Sequence, residues 1–265
     1  MPTTAFRILT WGSDDHAPIV CLHAERGHAR RFERLARMLR DRMWVVAYDL
    51  RGHGRSPWSG DQTLPAHADD LAEVMDACGI GQSTILGDSF GARVALEFAA
   101  AHGDRVTALV LLDPPLFALY PTIEELENAR PPAATFTGVD DAIERVRAEA
   151  GLVHTPRALL EEEMAEHLVA DEDGRFRLRY SREAAARAAE GLFQSPPKLK
   201  EIVCPTLIIR AADSPTLGAD GAARAAAELR RCRLAVVPGS HAVLWDALAE
   251  TGALVRDFVT ERIRA

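Results

Sequence analysis

Short, nearly continuous apolar runs alternate along this chain with longer amphipathic stretches, and that rhythm limits the fold more than any other feature. Ile19-Val20-Cys21-Leu22-His23, Trp44-Val45-Val46-Ala47-Tyr48, Ser83-Thr84-Ile85-Leu86-Gly87, Ala108-Leu109-Val110-Leu111-Leu112, Thr206-Leu207-Ile208-Ile209 and Leu234-Ala235-Val236-Val237 read as strands. Strands so uniformly rich in Val, Ile and Leu are expected where helices cover both faces of a parallel sheet. Helix candidates lie between them, near 31–42, 64–78, 90–102, 219–230 and 242–263. The pattern predicts an α/β fold, with a mostly parallel central sheet flanked by helices and an added edge near 6–11.

The rhythm breaks between Pro114 and Pro205. No strand is expected in this interval, which holds helical stretches near 122–129, 139–150, 156–169 and 181–193, punctuated by Pro131-Pro132 and Pro196-Pro197. The expected organisation is an α/β core from 1–114 and 205–265, with a helical cap at 115–204. Such a cap would sit over the C-terminal edge of the sheet, where ligands bind in folds of this class. The acidic run Glu161-Glu162-Glu163 is expected to be a solvated helix face.

A chain of 265 residues can bury a core of that size. Its formal net charge of −8 argues against a nucleic-acid surface, which needs clustered Lys and Arg. No apolar run approaches the ~20 residues of a membrane span. The start, Met1-Pro2-Thr3-Thr4-Ala5-Phe6-Arg7, lacks a signal-peptide pattern, so a cytoplasmic location is expected. Cys21, Cys78, Cys204 and Cys232 show no C-x-x-C spacing, and the histidines form no H-x-x-x-H or H-E-x-x-H pair. Neither a metal nor a cofactor is therefore expected. The expected partner is a small molecule, and oligomeric state is left open.

The sharpest local signal is Gly87-Asp88-Ser89-Phe90-Gly91, directly after a strand and directly before a helix. A G-x-S-x-G turn in that setting lifts the serine to the sheet's C-terminal edge, and its glycines let strand and helix approach closely. The following N–H, on Phe90, lies at a helix N-terminus, where developing negative charge is favoured. A serine hydroxyl needs a base beside it to act as a nucleophile. His241 is the candidate, on a loop after Val236-Val237-Pro238-Gly239-Ser240 at the same edge of the sheet. His23 and His53 belong to other motifs, and His154 and His167 fall in the inserted segment. Asp88 is expected to pack or hydrogen-bond beneath the serine. Asp70 and Asp76, on the 64–78 helix, are expected at the surface.

On these motifs the chain resembles the α/β-hydrolase superfamily, over nearly its full length. Asp49-Leu50-Arg51-Gly52-His53-Gly54-Arg55-Ser56 is similar to the family's D-x-R-G-x-G-x-S turn. Leu22-His23-Ala24-Glu25-Arg26-Gly27-His28 is similar to its H-G-x-x-G oxyanion loop, and Pro238-Gly239-Ser240-His241 to the segment bearing the catalytic histidine. The closest likeness is to small capped esterases, lactonases and carbon–carbon bond hydrolases. Ser89 stands where haloalkane dehalogenases and epoxide hydrolases carry an aspartate, which counts against those activities.

The resemblance implies a cofactor-independent serine hydrolase with a Ser-His-Asp triad and an acyl-enzyme intermediate, acting on an ester, lactone or similarly activated carbonyl. It implies an oxyanion hole from the Phe90 and Glu25 N–H groups, with Ala24 in place of the usual glycine. The acid stays open between two positions. Asp213 follows the strand after the inserted segment but comes one residue before the family's usual place, which is Ser214 here. Asp113 ends the strand after the nucleophile helix, where some relatives carry the acid. Phe90, Trp58, Phe117, Tyr120, Phe193 and Trp245 lie near the sheet edge, and some are expected to line an apolar acyl pocket. The other classes open to this fold are a biosynthetic cyclase or dehydratase using His241 without an acyl intermediate, and a non-hydrolytic ligand receptor.

Overall fold

A computed structural model describes residues 4–117, 135–149, 152–192 and 194–263. Seven strands form one sheet: β1 (Ile8–Trp11), β2 (Ala17–Leu22), β3 (Met43–Tyr48), β4 (Ser83–Asp88), β5 (Val106–Leu112), β8 (Thr206–Ala211) and β9 (Cys232–Val237). Their spatial order is β1-β3-β2-β4-β5-β8-β9, and every pairing is parallel except that of β1 with β3. β4 therefore lies at the centre, with parallel strands on both sides.

Side chains alternate between the two faces of each strand, and each face packs its own helical layer. Val20, Leu22, Val46, Tyr48 and Ile85 share one buried cluster with Leu71 and Val74 of α2 (Leu64–Ala77) and with Val94 and Phe98 of α3 (Phe90–Ala101). Their neighbours Ile19, Cys21, Val45, Ala47 and Leu86 face the other way. They pack on Leu35 of α1 (Glu33–Leu39) and, from the C-terminal part of the chain, on Val255 and Phe258. The α2 helix begins where Thr63 caps it, its hydroxyl accepting the Ala66 N–H at 3.4 Å, with Pro65 in the first turn.

Between β5 and β8 the chain forms α4 (Val139–Glu149), α5 (Arg157–His167), β6 (Leu168–Ala170), β7 (Phe176–Leu178) and α6 (Arg182–Leu192). The antiparallel pair β6–β7 corrects the expectation of no strand there. Three residues per strand are too few to show a two-residue period, and the pairing is completed by Phe136, whose backbone bonds to Phe176 at 2.7 and 2.9 Å. The helix expected near 122–129 lies outside the described residues. Phe136, Ile143, Leu160 and Met164 make a separate small core. After β8 come α7 (Ala219–Glu228), α8 (Val243–Asp246) and α9 (Leu248–Ile263). Among the described residues, no helix is long and apolar enough to cross a membrane.

On α5, Glu161 and Glu162 are exposed as expected, but Glu163 is not, and the reason lies in residues more than a hundred positions away. Glu163 is buried against Arg31, with Oε1 at 2.7 Å from Nε. Glu162 pairs with Arg34 at 2.6 Å, and Glu166 with Arg7 at 3.1 Å and Arg55 at 3.4 Å. The exposed pairs contribute at most about 1 kcal/mol each; the buried one fixes where α5 docks. Asp70 also departs from expectation, being buried on α2 against Arg51 Nε at 2.5 Å, whereas Asp76 is exposed and meets Arg105 at 2.7 Å. On α3 the buried Arg93 donates to the Pro115, Leu192 and Gln194 carbonyls at 3.4, 3.4 and 3.1 Å, fastening both ends of the inserted segment to that helix.

Candidate functional site

Ser89 is the single residue between β4 and α3, and it is held at φ 51°, ψ −110°. A non-glycine residue at positive φ costs of order 1–3 kcal/mol and persists only where its surroundings impose it. Here they do. The Ser89 N–H donates to Leu112 O at 2.9 Å, and the flanking glycines leave no space for side chains. A Cβ at Gly87 would overlap the Ala92 backbone, and one at Gly91 would overlap the Leu22 carbonyl.

Sheet register delivers the partners. Asp88 pairs with Leu112, and Leu112 with Ile209, so Ser89 and Asp113 emerge at the same level of the C-terminal edge. His241 follows β9, four residues beyond Val237. Its Nε2 lies 2.8 Å from Ser89 Oγ, and its Nδ1 lies 2.6 Å from Asp113 Oδ2. Asp113 is fully buried; it also accepts the Ala211 N–H at 3.0 Å and the Ser214 hydroxyl at 2.5 Å. A carboxylate so placed fixes the imidazole with its proton on Nδ1, leaving the Nε2 lone pair toward the serine. The His241 loop is itself pinned, since Asp246 accepts the Ser240 N–H at 2.9 Å and the Thr155 hydroxyl at 2.7 Å.

Of the two acids left open by sequence, Asp113 meets His241 and Asp213 does not. Asp213 is exposed, and its N–H donates to Gly239 O at 3.0 Å. Ser214, in the position where the family's acid usually falls, contacts the site by donating to Asp113.

The loop carrying Ala24 and Glu25 is braced by two buried histidines. His23 Nδ1–H donates to Ala24 O at 2.8 Å, while its Nε2 accepts the Leu50 N–H at 2.9 Å. His53 Nδ1–H donates to Arg51 O at 2.9 Å, and its Nε2 accepts the Arg26 N–H at 3.1 Å. Burial holds both imidazoles neutral, with His53 lowered to about 4. Left-handed φ in this loop falls at Arg26 (58°); Ala24 is not among the described residues with positive φ, so its methyl fits without strain. Phe90 opens α3, and the first N–H of a helix has no acceptor within it.

Ser89 and His241 open into a cavity of about 260 Å³, walled also by Glu25, Phe136, Met164 and Trp245. Among the expected pocket aromatics, Trp245 lines it. Trp58 does not, because its indole N–H is engaged by Gly54 O at 3.1 Å and its ring lies 5.2 Å from the Arg177 guanidinium. Phe117 turns away to stack with Arg224 at 4.0 Å, and Phe90 is buried with the α2–α3 layer. Tyr120 and Phe193 lie outside the described residues. Phe136, Met164 and Tyr180, which do line the cavity, come from the inserted segment and carry no motif that would single them out.

The electrostatics are uneven. Burial alone lowers the His241 pKa, but the hydrogen bond and charge of Asp113, aided by Asp88, carry it above the ordinary histidine value. Burial pushes Asp88 up to about 6, against the pull of His241 and Arg31. Glu25 is also raised by burial, with Arg26 opposing.

A family model described as alpha/beta hydrolase fold matches residues 17–248. Lipase LipV of Mycobacterium tuberculosis is 36% identical over 172 residues, 64% of this chain and 65% of that protein, so the match spans just under two thirds of the relative's length. The 2-(acetamidomethylene)succinate hydrolase of Mesorhizobium japonicum is 29% identical over 222 residues, covering 82% of this chain and 78% of that protein. A crystal structure of E-2-(acetamidomethylene)succinate hydrolase superposes with a TM-score of 0.84 at 25% identity, covering 96% of this chain and 95% of that one.

Proposed function

Because the chain belongs to the alpha/beta hydrolase fold family, we propose that it is a serine hydrolase of small molecules in which Ser89, His241 and Asp113 form the catalytic triad. One observation carries this reading: the unbroken hydrogen-bond chain from Ser89 Oγ through His241 to buried Asp113, at the floor of a cavity. Ser89 Oγ attacks the carbonyl carbon as His241 Nε2 takes its proton. The oxyanion rests on the Phe90 and Glu25 N–H groups, each such donor contributing about 3 kcal/mol to the transition state. His241 then protonates the leaving group, and water activated by the same nitrogen releases the acid and frees Ser89.

We read 115–204 as a cap whose Phe136, Met164 and Tyr180 roof the cavity. A volume of about 260 Å³ suits a short acyl group rather than a long chain. The resemblance to a hydrolase named for 2-(acetamidomethylene)succinate supports a small ester, lactone or amide as substrate.

The test is a fluorophosphonate probe with intact-mass readout. Wild type is expected to gain one adduct and Ser89→Ala none; an unlabelled wild type would overturn the assignment. The pH profile supplies a second check. His241 must be neutral to act as base, so kcat/KM falls as pH drops through a midpoint above about 6.5. Asp88 is ionised through most of that window, and its charge raises the His241 pKa. Asp88→Asn should therefore move the acid limb to lower pH, and an unmoved limb would remove Asp88 from the account.

A further inference from the structure

We propose that His28, Glu163 and His167 form a divalent-cation site of the zinc class, at the seam where α5 meets the core. Glu163 and His167 stand four residues apart on α5, so they share one helix face. His28 comes from the loop before α1 in the core. One ligand atom from each of the three side chains lies within 4.8 Å of the others, and His28 Nε2 is 3.0 Å from Glu163 Oε2.

Burial makes the cluster more than a coincidence of polar residues. All three side chains are buried; His28 Nε2 meets only Glu163, and among the described residues neither His28 Nδ1 nor either ring nitrogen of His167 has a hydrogen-bond partner. Proteins seldom leave buried donors and acceptors unmatched, because each unmatched group is costly. Two imidazoles and one carboxylate are a donor set for zinc that leaves a fourth position open. Tetrahedral bonds of about 2.0–2.1 Å need ligand atoms about 3.4 Å apart, so the ligand atoms, none more than 4.8 Å from another and one pair at 3.0 Å, need only modest side-chain adjustment around the ion.

Arg31 leaves room for this. It holds Glu163 through Oε1, leaving Oε2 on the His28 side, and its guanidinium stacks 4.7 Å over Trp245. A carboxylate ligand oriented by an outer hydrogen bond is the usual arrangement around a protein-bound metal. The positive charge weakens affinity relative to a site without it. Glu163 and His167 also line the cavity that holds Ser89, so the open position is available to water or to an oxygen of a bound ligand. Scanning for paired histidines misses the site, because its helical half is Glu-x-x-x-His and its third member lies 135 residues upstream of Glu163.

The assignment does not depend on Ser89 being a nucleophile, and its test reads binding. Metal-stripped full-length protein is dialysed against Zn²⁺ and separately titrated with Co²⁺. The expected result is one tightly held equivalent and the intense visible bands of four-coordinate Co²⁺. His28→Gln and His167→Gln should each weaken binding at least ~10-fold. His154→Gln, at an exposed histidine, and Ser89→Ala should keep it. Wild type that binds no stoichiometric metal, or gives only the pale six-coordinate Co²⁺ spectrum, would overturn the proposal in favour of buried water. Equal binding by the ligand variants would do the same. If those variants fail to fold, the wild-type Co²⁺ spectrum still decides.

Discussion

Asp113→Asn should cut kcat/KM by about 10⁴, the scale seen when a triad acid loses its charge, while Asp213→Asn stays within roughly twofold. The contrast follows from geometry. Asp113 Oδ2 sits 2.6 Å from His241 Nδ1 inside the protein, whereas Asp213 points to solvent. An asparagine at 113 retains the shape, and its oxygen in the Oδ1 position can still accept the Ala211 N–H, while the Oδ2 position that faces both His241 and the Ser214 hydroxyl becomes the amide nitrogen. Its amide then meets Nδ1 as a donor, which favours the tautomer with the proton on Nε2, facing Ser89. That tautomer cannot take the serine proton. Steady-state kinetics on a short-chain p-nitrophenyl ester, with probe labelling rates for both variants, gives the answer. Strong loss in Asp213→Asn with Asp113→Asn near wild type would reverse the assignment. A Ser89→Ala variant that kept its turnover would instead point to base catalysis by His241 without an acyl intermediate.

Gly91→Ala is expected to destabilise the fold by at least about 3 kcal/mol, the upper range for forcing extra atoms into a packed interior. The added methyl would enter the Leu22 carbonyl, and neither partner is free to retreat. Leu22 ends β2 in register with Gly87 and Tyr48, and α3 is anchored over the sheet by its own buried face. Adding the same methyl at Gly103, where no heavy atom lies within 4 Å of the new Cβ, should change stability by less than about 0.5 kcal/mol. Urea midpoints at unchanged slope would separate the two. A Gly91→Ala midpoint equal to that of Gly103→Ala would mean the elbow has slack that the geometry denies.

The inserted segment was only partly legible in sequence. Its helices at Val139–Glu149, Arg157–His167 and Arg182–Leu192 follow from spacing, with ends within two residues of expectation. The β6–β7 pair was not visible, because three-residue strands leave no period to detect. The burial of Glu163 is hidden from the sequence for a related reason. A run of acids looks the same whether it faces water or a row of arginines, and Arg31 and Arg34 belong to another part of the chain.

What the sequence alone determined was local: strands from unbroken apolar runs, helices from their amphipathic spacing, and the serine elbow from glycines flanking a strand end. Each depends on neighbours a few residues away, so each is written in a short window. The tertiary structure alone decided which acid reaches His241, which aromatics wall the cavity, and where the charges of α5 are neutralised. Those contacts join residues 128 apart for His241 and Asp113, and 132 apart for Arg31 and Glu163. Strand order and register bring them together, and both are set by packing summed over the whole sheet.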